Sequence, residues 1–265
     1  MGETHTWTNE HGQPVGEPLP GWTRRRRPDP DRLTGDHCRV ERLTLRHGDS
    51  LFSAVSADVT GRSWTYLSTG PFESLDAFRA AISEMIGNAD QVSMAITDPG
   101  GRAIGLASYL RIEPEIGSVE VGAILFSPAL QGTTAATEAM YLMASYVFDD
   151  LGYRRYEWKC DVLNAASTAA ARRLGFSYEG TWRNATTYKG RNRDTAWFAM
   201  TDGDWALLRP AYRQWLAPAN FDQDGQRASL SQLTRRALRP NVRRGVQMMG
   251  PGLHSLDEAV GGGKP

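Results

Sequence analysis

The stretch that decides the fold runs over residues 119–180 and reads VEVGAILF at 119–126, QGTTAATEA at 131–139, RRYEWKC at 154–160 and NAAS at 164–167, ahead of LGF at 174–176. The first run is almost continuously apolar, which is typical of a strand buried on both faces. Each strand leads into a helix start rich in Thr, Ser or Asn, residues that favour helix N-termini. The resulting βαβ unit brings two sets of unpaired backbone N–H groups close together, which suits a phosphate-bearing ligand.

Further elements extend on both sides of this unit. Upstream, apolar residues at spacings of three and four predict a helix over 75–86, with Ser74 as its N-cap. The turn sequence DPGG at 98–101 predicts a hairpin between strands at 92–97 and 103–112. Downstream, 176–188 and 194–200 read as strands around the turn KGRNR, and 205–216 reads as an amphipathic helix.

Composition divides the chain into three parts. Residues 1–36 are rich in Pro, Gly and charge, so we expect a flexible N-terminal arm. Residues 37–216 carry the periodic patterns and form the predicted domain. Residues 217–265 form an extension with one short helix near 230–238, which we expect to pack on the domain or on a dimer partner.

Charge and residue inventory exclude several function classes. The chain has 265 residues and a formal net charge of zero, so no global field attracts nucleic acid or an anionic membrane. Two distant cysteines fit neither a disulfide framework nor a zinc site and suit a reducing compartment. No apolar run is long enough to span a membrane, so we expect a cytoplasmic protein. All five histidines lie outside 48–253, so proton removal falls to a carboxylate, a tyrosine or a water.

The ordered set of motifs resembles the GNAT acyltransferase superfamily, and within it the branch of the RimJ/RimL ribosomal-protein alanine N-acetyltransferases. Three segments carry the resemblance: QGTTAA at 131–136, NAAS at 164–167 ahead of LGF, and KGRNRD at 189–194 ahead of Trp197. The resemblance implies an α/β (mixed α+β) fold with a twisted central sheet of six to seven strands flanked by helices. Two splayed parallel strands, 119–126 and 154–160, would hold an acyl-CoA.

The resemblance also implies acetyl transfer from acetyl-CoA to a primary amine by direct attack in a ternary complex, a reaction for which we expect no metal. Backbone N–H groups at the start of the helix would face the pyrophosphate, while strand backbone would hold the pantetheine. The candidate cofactor-binding residues are Ile124, Leu125, Phe126, Gln131, Gly132, Thr133, Thr134, Ala135, Ala136, Asn164 and Arg173. Thr134 stands where the family usually has Gly, so CoA affinity depends on it.

Glu120 and Ser167 are the candidate catalytic residues. Glu120 is the single charge in its apolar strand, where burial raises a carboxyl pKa and suits it to accept a proton from an amine; the alternative is a structural ion pair with Arg111. Ser167, which the family resemblance implies as the acid for the departing thiolate, competes with Tyr178. Asn164 is equally suited to cap a helix, and Arg173 to lie on a solvated helix face.

Trp64, Tyr66 and Tyr188 are the candidate substrate-binding residues, because they lie in the two loops that would shape the acceptor site; core packing is the alternative for the first two. These loops do not specify the acceptor, so a protein N-terminus, a small amine and an antibiotic remain open. Two further functions also remain: an acyltransferase that uses a longer donor such as succinyl-CoA, and a catalytically silent CoA-binding or interaction protein. A homodimer is possible, whereas nucleic acid and membrane are not expected partners.

Overall fold

The computed structural model describes residues 7–223 and 225–247, and it contains six α-helices within these ranges. Ser74 caps the second helix by accepting a hydrogen bond from the amide of Ala77. The helices are α1 Gly48–Ser56, α2 Leu75–Gly87, α3 Thr134–Ser145, α4 Ala165–Arg173, α5 Asp202–Leu216 and α6 Leu230–Gln247.

The same residues contain twelve strands, of which eight form one sheet in the order β3-β4-β5-β6-β7-β8-β10-β9. Their bounds are β1 Trp7–Thr8, β2 Pro14–Val15, β3 Arg32–Thr34, β4 Arg39–Arg42, β5 Val92–Thr97, β6 Ala103–Glu113, β7 Ser118–Phe126, β8 Arg155–Asp161, β9 Ser177–Tyr188, β10 Arg191–Thr201, β11 Phe221–Asp222 and β12 Gly225–Gln226. Neighbouring strands of the sheet are antiparallel, except for the parallel pair β7 and β8 that the βαβ pattern predicts.

Two apolar cores lie on opposite faces of this sheet. Strand β5 illustrates the alternation, because Met94 and Ile96 belong to one core and Ala95 belongs to the other. The larger core packs helices α3, α4, α5 and α6 on one face, while α1 and α2 cover the other face. The mixed α/β fold with helices on both faces agrees with the sequence-based expectation.

The N-terminal segment departs from the expectation of a flexible arm over 1–36. Strand β3 pairs with β4 and adds an eighth strand to a sheet that the family resemblance put at six to seven. Further upstream, the Trp22 indole donates to the carbonyl of Glu115 at 2.9 Å, and the Arg25 amide donates to the carbonyl of Pro114 at 3.0 Å. The boundary at residue 36 is therefore wrong, since the composition of this segment hides its anchoring contacts.

The C-terminal segment also forms more structure than its composition suggests. Helix α6 runs well beyond the short helix expected near 230–238, and it packs against α4 and α5 with Leu230 and Leu233 buried. The last part of the predicted extension, 248–265, lies outside the described residues, as do 1–6. Among the described residues, no helix is both long enough and apolar enough to cross a membrane.

Candidate active site

A deep cleft opens where the parallel strands β7 and β8 separate. The two strands pair over Ser118–Val121 and Arg155–Trp158, and no pairing between them continues beyond Val121. The cleft occupies about 1560 Å³, and its walls come from β7, β8, α3, α4 and the loop at 58–68. The predicted splay of the two strands is thus present.

A β-bulge in β7 accounts for the separation. Leu125 pairs with Leu106 and Gly122 pairs with Ser108, so two residues of β7, Ala123 and Ile124, oppose a single residue of β6. Ala123 has a φ of +47°, a left-handed conformation that is uncommon for a residue with a Cβ atom. A bulge bends its strand and increases the local twist, which directs the end of β7 away from β8.

The start of α3 presents backbone donors to the cleft. Gly132, with φ of +73°, turns the chain into the helix, and the Thr133 side chain caps it by accepting from the Ala136 amide at 3.2 Å. Gln131 Nε2 donates to the carbonyl of Phe126 at 2.8 Å and so fixes this loop to the end of β7. Thr134 is the first helical residue and lines the cleft, so its amide belongs to the helix N-terminus that favours an anion.

Glu120 lies in the cleft as part of a buried ion cluster. Its side chain is about 10% exposed, and Oε2 accepts a hydrogen bond from Lys159 Nζ at 2.6 Å. Lys159 Nζ also lies 3.2 Å from Glu157 Oε2, and the Arg111 guanidinium lies 3.8 Å from Glu120. Burial raises the pKa of the Glu120 carboxyl, and the charge of Lys159 acts against that rise. The Arg111 alternative is therefore present, but Lys159 is the closer partner.

Ser167 lies across the cleft at the start of α4. Its hydroxyl oxygen accepts a hydrogen bond from the Trp158 indole at 2.9 Å, and its amide donates to Asn164 Oδ1 at 3.0 Å. An oxygen that accepts from Trp158 keeps its own proton free to donate. Asn164 caps α4 as one of the two predicted roles requires, and it also lines the cleft.

Arg173 reaches the cleft from the last turn of α4. It donates to the Thr137 hydroxyl at 3.0 Å, and its guanidinium lies 5.2 Å from the centre of the Trp215 ring. Burial lowers the pKa of this guanidinium, which nevertheless stays charged at neutral pH. Tyr178, the competing acid, is half exposed and its hydroxyl contacts Thr181 rather than the cleft.

The candidate acceptor residues separate into two groups. Tyr66 lines the cleft and donates to the carbonyl of Leu163 at 2.9 Å. Tyr188 does not itself line the cleft, but it donates to Oδ2 of the cleft residue Asp161 at 2.8 Å. Trp64 instead packs in the core, 6% exposed, against Phe72 and Phe78. The substrate-binding prediction for Trp64 is wrong, because its ring completes the apolar cluster beneath α2.

Two further predictions need refinement. Ala135 does not line the cleft, because its side of α3 faces the N-terminal segment, where its carbonyl accepts from the Cys38 thiol at 3.5 Å. The acid Asp161 was missed: it is 4% exposed, lines the cleft and has no salt-bridge partner within the described part of the chain. Its place at the end of β8 was the available signal, since strand ends frame sites of this topology.

Sequence reasoning also missed several cationic and aromatic residues of the cleft. Lys159 and Trp158 lie on β8 and contact Glu120 and Ser167, while Arg193 lies on β10 and Trp215 on α5. The described residues include no group of three or more His, Cys, Asp or Glu side chains arranged to hold a metal ion.

Several known proteins of similar sequence or structure are described as acetyltransferases. The family model of the acetyltransferase (GNAT) domain matches residues 39–177. A solved GCN5-related N-acetyltransferase from Brucella melitensis is 40% identical, with a TM-score of 0.79, and the match covers 82% of this chain and 100% of that one. The uncharacterized N-acetyltransferase p20 from Bacillus licheniformis is 28% identical over 63% of this chain and 97% of its own length.

The family model covers more than half of the chain, and the cleft of the expected topology is present. This chain belongs to the GNAT acetyltransferase family and is an acyl-CoA-dependent N-acyltransferase. The solved RimL ribosomal L7/L12 alpha-N-protein acetyltransferase is 22% identical over 64% of this chain and 93% of its own, with a TM-score of 0.55. That likeness shows the shared fold alone.

Proposed function

We propose that this protein transfers the acetyl group of acetyl-CoA to a primary amine, either a protein N-terminus or a small molecule. The observation that carries the proposal is one cleft that holds a buried carboxylate, Glu120, on β7, a hydroxyl donor, Ser167, on α4, and a helix N-terminus at Thr134. Direct acyl transfer from acetyl-CoA uses a base for the amine, a proton donor for the departing thiolate and backbone donors for the pyrophosphate, and these three groups fit those roles.

The residues around the cleft fit acetyl-CoA. Amides at the start of α3 would receive the pyrophosphate, and Gly132, beside which a Cβ atom would meet nothing within 4 Å, leaves room for close approach. The backbone of Ile124 to Phe126 lies at the bulge, where β8 no longer pairs with it and pantetheine could replace the missing strand. When bound, acetyl-CoA supplies the activated acetyl thioester.

Two side chains would move the protons. Glu120 takes the proton of the attacking amine directly or through a water, because burial raises the pKa of its carboxyl towards the working range of a base. Ser167 donates its free proton to the departing thiolate, while the Trp158 indole holds its oxygen in place.

The acceptor end of the cleft suits a cationic amine. The Asp161 side chain is buried, and its recorded partners are the Tyr188 hydroxyl and the Leu163 amide rather than a cation. A carboxylate that lacks a counter-cation favours an ammonium group nearby. The motif resemblance to the RimJ/RimL branch makes a peptide N-terminus the first acceptor to test, with small amines as the second.

The test is an acyl-transfer screen with the full chain. Acetyl-CoA and succinyl-CoA are each offered with a panel of peptides and small amines, and products are identified by mass spectrometry. We expect acetylated product, and we expect Glu120→Gln to lower kcat/KM by about 10²-fold to 10⁴-fold at neutral pH. Glu113→Gln, which changes an exposed glutamate on β6, serves as the matched control.

Two results would contradict the proposal. Transfer of succinyl but not acetyl groups would show that the donor is not acetyl-CoA. A Glu120→Gln enzyme with unimpaired kcat/KM would show that Glu120 is not the base.

Replacing Thr134 by Ala tests the departure from the family pattern. If the threonine side chain obstructs the cofactor, the variant binds CoA at least about tenfold tighter. We expect a change of less than about threefold, because helix amides rather than this side chain bind the phosphate.

A further inference from the structure

The hairpin of β9 and β10 frames the acceptor end of the cleft. At its tip, Lys189 Nζ donates to the carbonyl of Trp64 at 2.7 Å, which holds the hairpin against the loop at 58–68. Residues of that loop line the cleft, and so does Arg193 of the hairpin. The hairpin and the loop therefore form two sides of one opening.

Arg193 lies on the face of the sheet that carries the candidate base. Glu120 pairs with Glu157 of β8, and Asp161, four residues further along β8, pairs with Thr195 of β10. Paired residues point to the same face, and so do residues two or four apart on one strand. Arg193 precedes Thr195 by two residues and therefore shares this face. Its Nε donates to the Thr195 hydroxyl at 3.2 Å, which agrees with that placement.

The hairpin carries a surplus of positive charge. Residues 183–194 contain four cations and a single acid, Asp194. Oδ1 of Asp194 accepts from the Asn184 amide at 2.8 Å and from Asn192 Nδ2 at 3.0 Å, so this acid is bound within the hairpin. In the part of the chain that the structure describes, no salt bridge involves the four cations, which are Arg183, Lys189, Arg191 and Arg193.

Arg193 is the hairpin cation that lines the cleft. Its recorded contacts are the Thr195 hydroxyl and the ring of Tyr188, whose centre lies 5.8 Å from the guanidinium carbon. The acid on the neighbouring strand, Asp161, accepts instead from the Tyr188 hydroxyl at 2.8 Å. Burial and this hydrogen bond raise the pKa of Tyr188 to about 12, so both contacts of Arg193 are neutral at neutral pH. A half-buried guanidinium without a counter-anion favours a carboxylate ligand.

An exposed tryptophan extends this face beyond the cleft. Trp182 of the edge strand β9 pairs with Thr195, is 58% exposed and stacks on Trp197 with ring centroids 4.2 Å apart. A large exposed aromatic ring is typical of an anchor for a binding partner. Because Trp182 lies outside the cleft, the face suits a ligand with the length of a peptide better than a small amine.

The sign of the charge changes along this face. The carboxylates of Glu120 and Asp161 line the interior of the cleft, where Lys159 is already paired with Glu120 and Glu157. The unpaired cations lie on the hairpin at the opening. A peptide that begins with a free ammonium group and continues with acidic residues has the complementary order of charges.

We propose that this face of the β9–β10 hairpin binds an acidic acceptor peptide, with Arg193 paired to a carboxylate that follows the acetylated N-terminus. The inference rests on the proposed function for the role of the peptide as acceptor. It goes further by naming the class of peptide, one with Asp or Glu within the first few residues.

The test compares two peptides on the full chain with saturating acetyl-CoA. The peptides share their N-terminal residue and differ in carrying either Asp or Asn at the next three positions. At low ionic strength we expect kcat/KM to be at least about tenfold higher for the Asp peptide, the size of a charge-assisted contact. The difference should lie in KM, because the contact does not touch the reacting atoms. It should shrink at about 1 M salt, where charges are screened within about 3 Å.

Variants of Arg193 test its part in this preference. Arg193→Met should lower the ratio of the two kcat/KM values to less than about threefold, and Arg193→Glu should reverse it in favour of the Asn peptide. Arg193→Lys keeps the cation and should keep a higher ratio than Arg193→Met. Arg235→Met, which changes an exposed arginine on α6, is the matched control and should keep the wild-type ratio. Both peptides are compared on the same variant, so a partial loss of folding affects them equally.

Fluorescence anisotropy of the same peptides, labelled at their C-termini, measures binding without turnover and separates the two proposals. If Asp-peptide binding depends on Arg193 but no amine is acetylated, the proposed function fails while the peptide surface stands. If acetyl groups are transferred but the two peptides do not differ, or Arg193→Met keeps the preference, the inference is overturned while the proposed function stands. Acetylation of small amines alone, with neither peptide bound, likewise overturns the inference.

Polyuridylate serves as the competing anion, because phosphates would also be attracted to this hairpin. We expect it to inhibit the wild type no more than it inhibits Arg193→Met. If polyuridylate inhibits the wild type through Arg193 and the two peptides do not differ, the hairpin binds nucleic acid and the acidic-peptide inference is overturned.

Discussion

Lys159 is the residue that most changes the interpretation of Glu120. In the sequence, Glu120 is the single charge of an apolar strand, and Lys159 is one polar position in an alternating strand. The parallel register pairs Glu120 with Glu157, so the lysine two residues further along β8 lies between two carboxylates. Sequence alone predicts the acid but not its partner, because the register between strands separated by a helix is a property of the folded sheet.

Lys159→Met should therefore shift the pH dependence of catalysis. The Lys159 cation lowers the pKa of Glu120, so its removal raises that pKa further above the ordinary value. A base must be deprotonated to act, so the rising limb of the kcat/KM profile should move to higher pH. The profile between pH 5 and pH 9 measures this shift.

Lys159→Arg is the matched control, because it keeps a cation beside Glu120 and should leave the limb near its wild-type position. The charge argument is refuted if the methionine variant, still folded by circular dichroism, shows an unshifted limb or a limb at lower pH.

Ser167→Ala should separate catalysis from folding. Loss of the donor should lower kcat by about 10²-fold or more, and loss of the acceptor for the Trp158 indole should cost about 1 to 3 kcal/mol of unfolding free energy. Steady-state kinetics and urea unfolding measure the two effects, with exposed Ser177→Ala as the control. An alanine variant with wild-type kcat would show that another group protonates the thiolate.

At the scale of elements, the bulge in β7 is the structural feature that separates β7 from β8 and opens the cleft. The sequence predicts the strand from its apolar run, but the positive φ of Ala123 leaves no signature, because alanine is not among the residue types enriched at positive φ. The family resemblance, rather than periodicity, implied that the two strands part. The sequence likewise did not reveal that Trp64 packs in the core, since an aromatic residue in a loop fits either a core or the wall of a binding site.

Ala123→Val should weaken cofactor binding through this bulge. A β-branched side chain is poorly tolerated at φ of +47°, so the bulge would lose about 1 to 2 kcal/mol or rearrange. Ala123→Gly accepts the same backbone conformation and should keep the affinity near that of the wild type. Calorimetry with CoA compares the two variants; equal affinities would show that the bulge does not control the site.

Helix α3 has a second role, because Glu138 ties it to the N-terminal segment. Its buried carboxylate accepts hydrogen bonds from the amides of Asp36, His37 and Cys38 at 2.9, 2.7 and 2.9 Å. Glu138→Ala would leave these donors without their acceptor, so we expect a loss of about 3 kcal/mol or more. Glu138→Gln keeps one carbonyl oxygen and should lose less. Urea unfolding ranks the variants, and equal stability of both with the wild type would contradict this role.

At the scale of the whole molecule, the described structure extends the domain at both ends. The sequence predicts the central unit well, because its strands and helices have strong periodicity. The ends lack periodicity and depend on a few anchoring contacts, such as that of Trp22, so composition alone assigns them to linkers. A homodimer stays a prediction, and analytical ultracentrifugation of the full chain measures it.

The anchoring contacts of the N-terminal segment lead to a prediction about truncation. Residues 2–21 include the exposed hairpin of β1 and β2, so their removal should change the unfolding free energy by less than about 1 kcal/mol. Removal of residues 2–36 also deletes Trp22, buried Pro28 and Pro30, and the edge strand β3. Because burial of each large side chain contributes about 1.5 to 3 kcal/mol, the longer truncation should lose at least about 3 kcal/mol.

Urea unfolding of the two truncated chains, followed by tryptophan fluorescence and circular dichroism, compares these losses. The longer truncation also exposes the outer edge of β4, so it should aggregate more readily than the shorter one. If both truncations unfold at the same urea concentration as the full chain, residues 22–36 are dispensable and the domain begins near residue 37, as composition predicts.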